Sequence, residues 1–129
     1  LEAGGAFANA PSDPYYPHFA IPKSLTPKDG WGSRDEIVLG KLQPNCFSSS
    51  DLTSYLRARG IKHVVLVGLT TIGSILGSVR ASTNLNYHII CVEDGIINDE
   101  PEVYNFLMKQ VLPKFVDVMK SDQILALGE

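Results

Sequence analysis

Two short apolar runs constrain this chain most. They are His63–Val67 (HVVLV) and Tyr87–Val92 (YHIICV). Continuous runs rich in β-branched residues are expected of strands buried on both faces. Between them Gly68–Thr71 reads as a turn and Ile72–Thr83 as a helix. Upstream, Leu52, Tyr55, Leu56 and Arg59 recur at helical spacing, with Ser50 placed as N-cap and Gly60 as the glycine beyond the C-terminus. Glu36–Gly40 (EIVLG) is a shorter strand candidate. Asp99 to about Met119 reads as helix, opened by Pro101 and kinked or divided at Pro113, and Ile124–Leu127 as a last short strand. Strand and helix thus alternate, which predicts the α/β class: a parallel sheet with helices on its faces, wound by right-handed crossovers.

The first 34 residues behave differently. Pro11, Pro14, Pro17, Pro22 and Pro27 remove amide donors and fix φ, so neither a long helix nor a central strand is expected there. Residues 1–34 are read as a proline- and glycine-rich loop or arm, whose aromatic side chains lie across a surface, and 35–129 as the α/β domain. A length of 129 residues allows one domain and not two cores. Eleven Lys and Arg against fourteen Asp and Glu give a net charge of −3, which lacks the basic field selected by nucleic acid or an anionic membrane. No apolar run approaches the roughly 20 residues of a membrane span, and neither a membrane span nor a signal peptide is expected in these residues. Cys46 and Cys91 form no CxxC and have no His at ligand spacing, so no metal, cofactor or disulfide framework is expected, and the compartment is read as cytoplasmic.

Ligands of open α/β sheets bind beyond the carboxyl ends of the strands. Ser74 stands in the first turn of the helix after HVVLV, where unpaired amides and the helix dipole favour an anion. Serine is a weak nucleophile without a partnered base, so a packing role at the helix–sheet junction competes with a catalytic one. Lys41 follows an apolar run; it either snorkels to solvent or stabilises a neighbouring anion. His18, His63 and His88 show no ligand spacing, Cys91 reads as a buried small hydrophobe, and Asp94 as a turn or cap residue.

Four stretches together resemble one known family. They are Lys41 with Phe47 and Ser50-Asp51-Leu52; Leu56–Ile61 (LRARGI); Val64–Ser74 (VVLVGLTTIGS); and Tyr87–Asp94. In this order and spacing the chain is similar to the isochorismatase-like hydrolases, the superfamily that includes nicotinamidases and N-carbamoylsarcosine amidases. The resemblance implies a Rossmann-like, three-layer α/β/α fold. It also implies a triad of Cys, Lys and Asp, with a non-proline cis peptide before the nucleophile helix. By motif Lys41 takes the lysine role and Ser74 the nucleophile position. Leu69, Thr70 and Gly73 form the cis-peptide and oxyanion turn, and Phe47 and Thr71 belong to the substrate pocket.

Two departures follow from the same comparison. Serine replaces the thiol, and the aspartate strand with its neighbour is not found, so the N-terminal strands are expected to be missing. The resemblance therefore implies hydrolysis of a small molecule, either an enol ether such as isochorismate or a C–N amide, by an incomplete or Ser-for-Cys form. The alternative is a catalytically inactive member serving as a binding or structural subunit. The chain is expected to be part of a longer protein, or to work as a homo-oligomer or with a second chain that supplies the missing strands. Beyond a small-molecule substrate, no nucleic acid or membrane partner is expected.

Overall fold

The computed structural model describes residues 37, 39–41, 43–48 and 50–128. The proline-rich segment 1–34, with His18 and its aromatic residues, lies outside them. So do Glu36 and Val38 of the expected first strand. The chain divides into two compact units at Val38/Leu39. The second unit, Leu39–Glu129, carries all the regular structure that is described.

Its elements alternate as α1 (Leu52–Ala58), β1 (His63–Leu69), a wide helical turn (Thr71–Ile75) running into α2 (Leu76–Leu85), and β2 (His88–Ile97). Then come α3 (Pro101–Phe106), two further helical turns (Leu107–Val111 and Leu112–Lys114), β3 (Asp117–Met119) and α4 (Ser121–Ala126). Among the described residues the sheet has three strands in the order β1-β2-β3, and both pairs are parallel. That is the α/β class expected, with a helical crossover between successive strands.

Helix α1 ends as its sequence predicts. Gly60 adopts φ +64 beyond the C-cap Arg59, and the Gly60 and Ile61 amides close onto the Arg57 and Leu56 carbonyls. Its start differs by one residue, because Asp51 occupies the N-cap position. Ser50 instead donates to the Cys46 carbonyl at 2.6 Å and accepts weakly from the Leu52 amide at 3.4 Å.

Several boundaries move for physical reasons. Ile37, Leu39 and Gly40 are irregular rather than strand, since none has a ladder partner among the described residues. Strand β1 is not buried on both faces: its side chains alternate between half-buried and exposed, with Val67 62% and Leu69 67% exposed. Among the described residues it pairs on one side only, with β2, and the face bearing Val64 and Leu66 packs on the core. The helix expected to run to Met119 stops near Lys114. Pro113 lies in a short turn there, and Asp117–Met119 pair with Ile90–Val92 of the central strand instead. The strand expected over Ile124–Leu127 is helix α4, whose start is fixed by Gln123 accepting from the Lys120 amide at 2.8 Å.

Strand β2 extends past Val92 because of a bulge. Leu66 pairs with Cys91 but Gly68 pairs with Ile96, so β2 carries extra residues over Val92–Gly95. Gly95 fits closely there, since a Cβ would sit 3.0 Å from a Val67 methyl and 3.2 Å from Val92, and those side chains would have to give by a few tenths of an ångström. Tyr104 donates to the Glu93 carbonyl and Asp94 accepts from the Ser121 amide and hydroxyl, which pins the bulge to α3 and α4.

The core gathers Phe47, Leu56, Ile75, Val79, Ile89, Cys91, Ile96, Met108 and Leu112. Leu112 is fully buried, so Leu112→Ala should cost about 2–5 kcal/mol. Val67→Thr on the open face should change stability by less than about 0.5 kcal/mol. Urea denaturation of both variants checks the contrast.

Candidate functional site

The site is built where the loop 43–48 meets the start of the helix after β1. Asn45 organises the loop. Its Oδ1 accepts from the amides of Phe47 (2.9 Å) and Ser48 (2.8 Å), and its Nδ2 donates to Ser48 Oγ (2.8 Å). The loop then docks on the small-residue face of the helix. A Cβ on Gly77 would meet Asn45 Cβ at 3.3 Å, and the Cys46 amide donates to Ser78 Oγ at 3.0 Å. Those contacts explain the glycines and serines that cost this helix propensity.

One turn earlier the same docking brings Lys41 and Ser74 together. Lys41 Nζ donates to Pro44 O (2.7 Å), Ser74 Oγ (3.2 Å) and Gln43 O (3.3 Å). Ser74 Oγ donates its own proton to Pro44 O at 2.7 Å. One main-chain carbonyl therefore receives both side chains. The Leu69–Thr70 peptide is cis, and Thr70 is the N-cap of the turn that follows.

The helix amides are held more loosely. Gly73 N reaches Thr70 Oγ1 at 3.3 Å, and Ile72 N reaches Asn98 Oδ1 at 3.4 Å. N–H···O bonds this long are weak against the usual 2.9–3.0 Å or so. Leu69 and Ile72, which stand beside these groups in the chain, are exposed.

The structure thus joins Lys41, Ser74, Thr70 and Gly73 in one network. It does not put Phe47 or Thr71 on a pocket wall. Phe47 is buried and stacks on Tyr87 at 5.5 Å between ring centres, while fully buried Thr71 spends its hydroxyl on the Ile97 carbonyl at 3.3 Å. Both serve the core beneath the site. Sequence reasoning missed the Pro44 carbonyl, Asn45 and Asn98. Of these only Asn45 carried a signal, as an Asx-type residue after proline in a loop.

Elsewhere, His63 and His88 stack on each other at 5.0 Å as register partners at the start of the strands. Burial pushes the Cys91 thiol up to about 11, so it is inert at neutral pH. Among the described residues, no group of three or more His, Cys, Asp or Glu is placed to hold a metal ion. None of the described helices is long and apolar enough to cross a membrane.

Fold and site together define an α/β domain with a polar network at the carboxyl end of a parallel strand, the place where such sheets bind small molecules. The Isochorismatase domain model matches residues 16–123, and the chain belongs to that family of hydrolases. It is 27% identical over 111 residues to the uncharacterized isochorismatase family protein YecD of Escherichia coli O157:H7, covering 81% of this chain and 59% of that protein. It is 33% identical over 94 residues to the ureidoacrylate amidohydrolase RutB of Caulobacter segnis, covering 73% of this chain and 36% of RutB. The solved N-carbamoylsarcosine amidase of Thermoplasma acidophilum is 28% identical, with a TM-score of 0.63 over 80% of this chain and 56% of that one. The chain therefore spans less than two thirds of the length of these relatives.

Asp94 supplies a pH test of the bulge. Hydrogen bonds from the Ser121 hydroxyl and then the Ser121 amide hold its carboxyl below the ordinary aspartate value of 3.8. A depressed folded-state pKa contributes stability that is present above the unfolded value and lost as pH falls through the folded one. Melting temperatures across an acid series should show Asp94→Asn less stable than the parent at neutral pH, with the gap closing below the ordinary aspartate range.

Proposed function

We propose that this chain carries the Lys41–Ser74 site of a small-molecule hydrolase in which water attacks the substrate directly, without a covalent serine intermediate. The observation that carries the reading is the 2.7 Å hydrogen bond from Ser74 Oγ to the Pro44 carbonyl. A carbonyl is not a base, so among the described residues the acceptor of the Ser74 proton does not activate it as a nucleophile. The Lys41 ammonium and the loosely held Ile72 and Gly73 amides are the donors for a substrate oxygen or carboxylate. Ser74 is a clasp that keeps the loop and Lys41 in place.

An enol ether such as isochorismate suits that arrangement. The Lys41 ammonium gives a proton to the enol carbon, and water adds to the resulting oxocarbenium carbon and returns a proton to the Lys41 amine. The hemiketal then breaks its C–O bond to release a carbonyl compound and an alcohol, with no protein nucleophile. A C–N amide or ureido substrate is the second reading. It is favoured by the names of RutB and the N-carbamoylsarcosine amidase. That chemistry gains most from a thiolate, which Lys41 at 3.2 Å and the helix start would both stabilise. A silent binding subunit is the third. It is favoured because the three Lys41 hydrogen bonds all go to neutral oxygens, with no carboxylate among them.

Steady-state kinetics of the purified protein on isochorismate and on small amides separate the three. Direct water attack predicts that Ser74→Ala keeps kcat/KM for the enol ether within about tenfold, while Lys41→Ala loses about 100- to 1000-fold, as removal of one oxyanion donor does. Equal, near-complete losses in both variants would contradict it. Amide turnover that rises at least about tenfold in Ser74→Cys would favour the second reading. No turnover by either form would favour the third.

A further inference from the structure

The loop 43–48 has no regular structure to hold its shape. Among the described residues no backbone-to-backbone hydrogen bond lies within it. The bonds inside it come from one side chain. Asn45 Oδ1 accepts from the Phe47 and Ser48 amides at 2.9 and 2.8 Å, and its Nδ2 donates to Ser48 Oγ at 2.8 Å. A carboxamide that takes the amides two and three residues on stands in for the backbone acceptor that the turn lacks.

That turn is set between two fixed points. On one side Phe47 is buried and stacks on Tyr87, with ring centres 5.5 Å apart. On the other is α2, where a Cβ at Gly77 would meet Asn45 Cβ at 3.3 Å, its N at 3.8 Å and its Cα at 3.9 Å. Asn45 therefore lies flush on the helix, and the next amide, that of Cys46, bonds Ser78 Oγ at 3.0 Å. The two residues before Asn45 turn their carbonyls to Lys41 Nζ, Pro44 O at 2.7 Å and Gln43 O at 3.3 Å. Where those carbonyls point depends on how the chain enters the Asn45 turn.

Lys41 has little else to hold it. Its third hydrogen bond, to Ser74 Oγ, is 3.2 Å long, and among the described residues no carboxylate takes its charge. A long, flexible ammonium side chain gives up rotamer freedom to keep one position. One long bond to a neutral hydroxyl does not offset that loss; the two loop carbonyls must contribute.

From this we infer that Asn45 is a positioning residue for Lys41: its carboxamide turn fixes the Gln43 and Pro44 carbonyls that hold the ammonium beside Ser74. Asn45 makes no hydrogen bond to Lys41 or Ser74 itself, so it acts through the main chain. Its weight in turnover rests on the Lys41–Ser74 reading above, whereas its hold on the Lys41 amine does not.

Pulse acetylation of the whole chain with acetic anhydride, read lysine by lysine by peptide mapping, tests that hold without any substrate. Exposed Lys62 and Lys109 serve as internal references. With its ammonium hydrogens donated, Lys41 should react at least about threefold more slowly than they do, and Asn45→Ala should remove that difference. Asn45→Asp, which keeps the Oδ1 acceptor, should preserve it. Ser74→Ala removes only the third bond, so Lys41 should stay slower than the references there, which carries the test if Asn45→Ala does not fold. In turnover, Asn45→Ala should lower kcat/KM about ten- to 100-fold in the parent. In a Lys41→Ala background it should add less than about twofold, because the group it positions is gone. A lower melting temperature in Asn45→Ala with Lys41 still slow would show a merely structural role and overturn the assignment. So would Asn45→Asp behaving like alanine, Lys41 as fast as the references in Ser74→Ala, or a full additive loss in the Lys41→Ala background.

Discussion

The contact on which the site depends is the docking of the loop 43–48 onto the face of α2 that carries only small side chains. Gly77 leaves room for Asn45, Ser78 receives the Cys46 amide, and Ser74 reaches Pro44. A larger residue at 77 would push the loop away by the few tenths of an ångström that separate a tight contact from a clash. Lys41 would go with it, since two of its three bonds are to loop carbonyls. Each mid-helix glycine costs roughly 1 kcal/mol of propensity. Close backbone approach is what this helix gains in exchange.

The sheet explains why that loop sits where it does. Parallel pairing of β1 and β2 forces a crossover, and the helix that makes it begins at the carboxyl end of β1. Its first-turn amides, those of Ile72 and Gly73, make only long hydrogen bonds of 3.4 and 3.3 Å. The same topology collects the C-terminal ends of α1 and α2 at the other end of the strands, where the chain reverses through Gly60 and Asn86. The bulge at Val92–Gly95 belongs to the functional end as well. It re-registers β2 so that Ile97 and Asn98 come beside Thr71 and Ile72.

Much of this was legible in the residues. The two apolar runs, the capped α1 and the Lys41 and Ser74 positions follow from period, caps and motif, and the α/β class follows from alternation. What failed had long-range causes. HVVLV reads as a doubly buried strand because β-branched composition reports strand, not the number of covered faces; Val67 and Leu69 are exposed. Ile124–Leu127 is apolar enough for a strand but lies one turn beyond a helix start that Gln123 and Lys120 define. Phe47 and Thr71, which the motif gives to a substrate pocket, are held against Tyr87 and Ile97, a placement set by tertiary contacts that no local pattern marks. No local pattern marks the Pro44 carbonyl, since a main-chain acceptor has no residue signature.

The central claim is that Ser74 is a hydrogen-bonded clasp whose proton is held by a carbonyl, and not an activated nucleophile. Incubation with a fluorophosphonate, which forms a stable ester with activated serines, tests it by intact mass and peptide mapping. The account predicts an unchanged mass at neutral pH. A stoichiometric adduct mapped to Ser74 would contradict it.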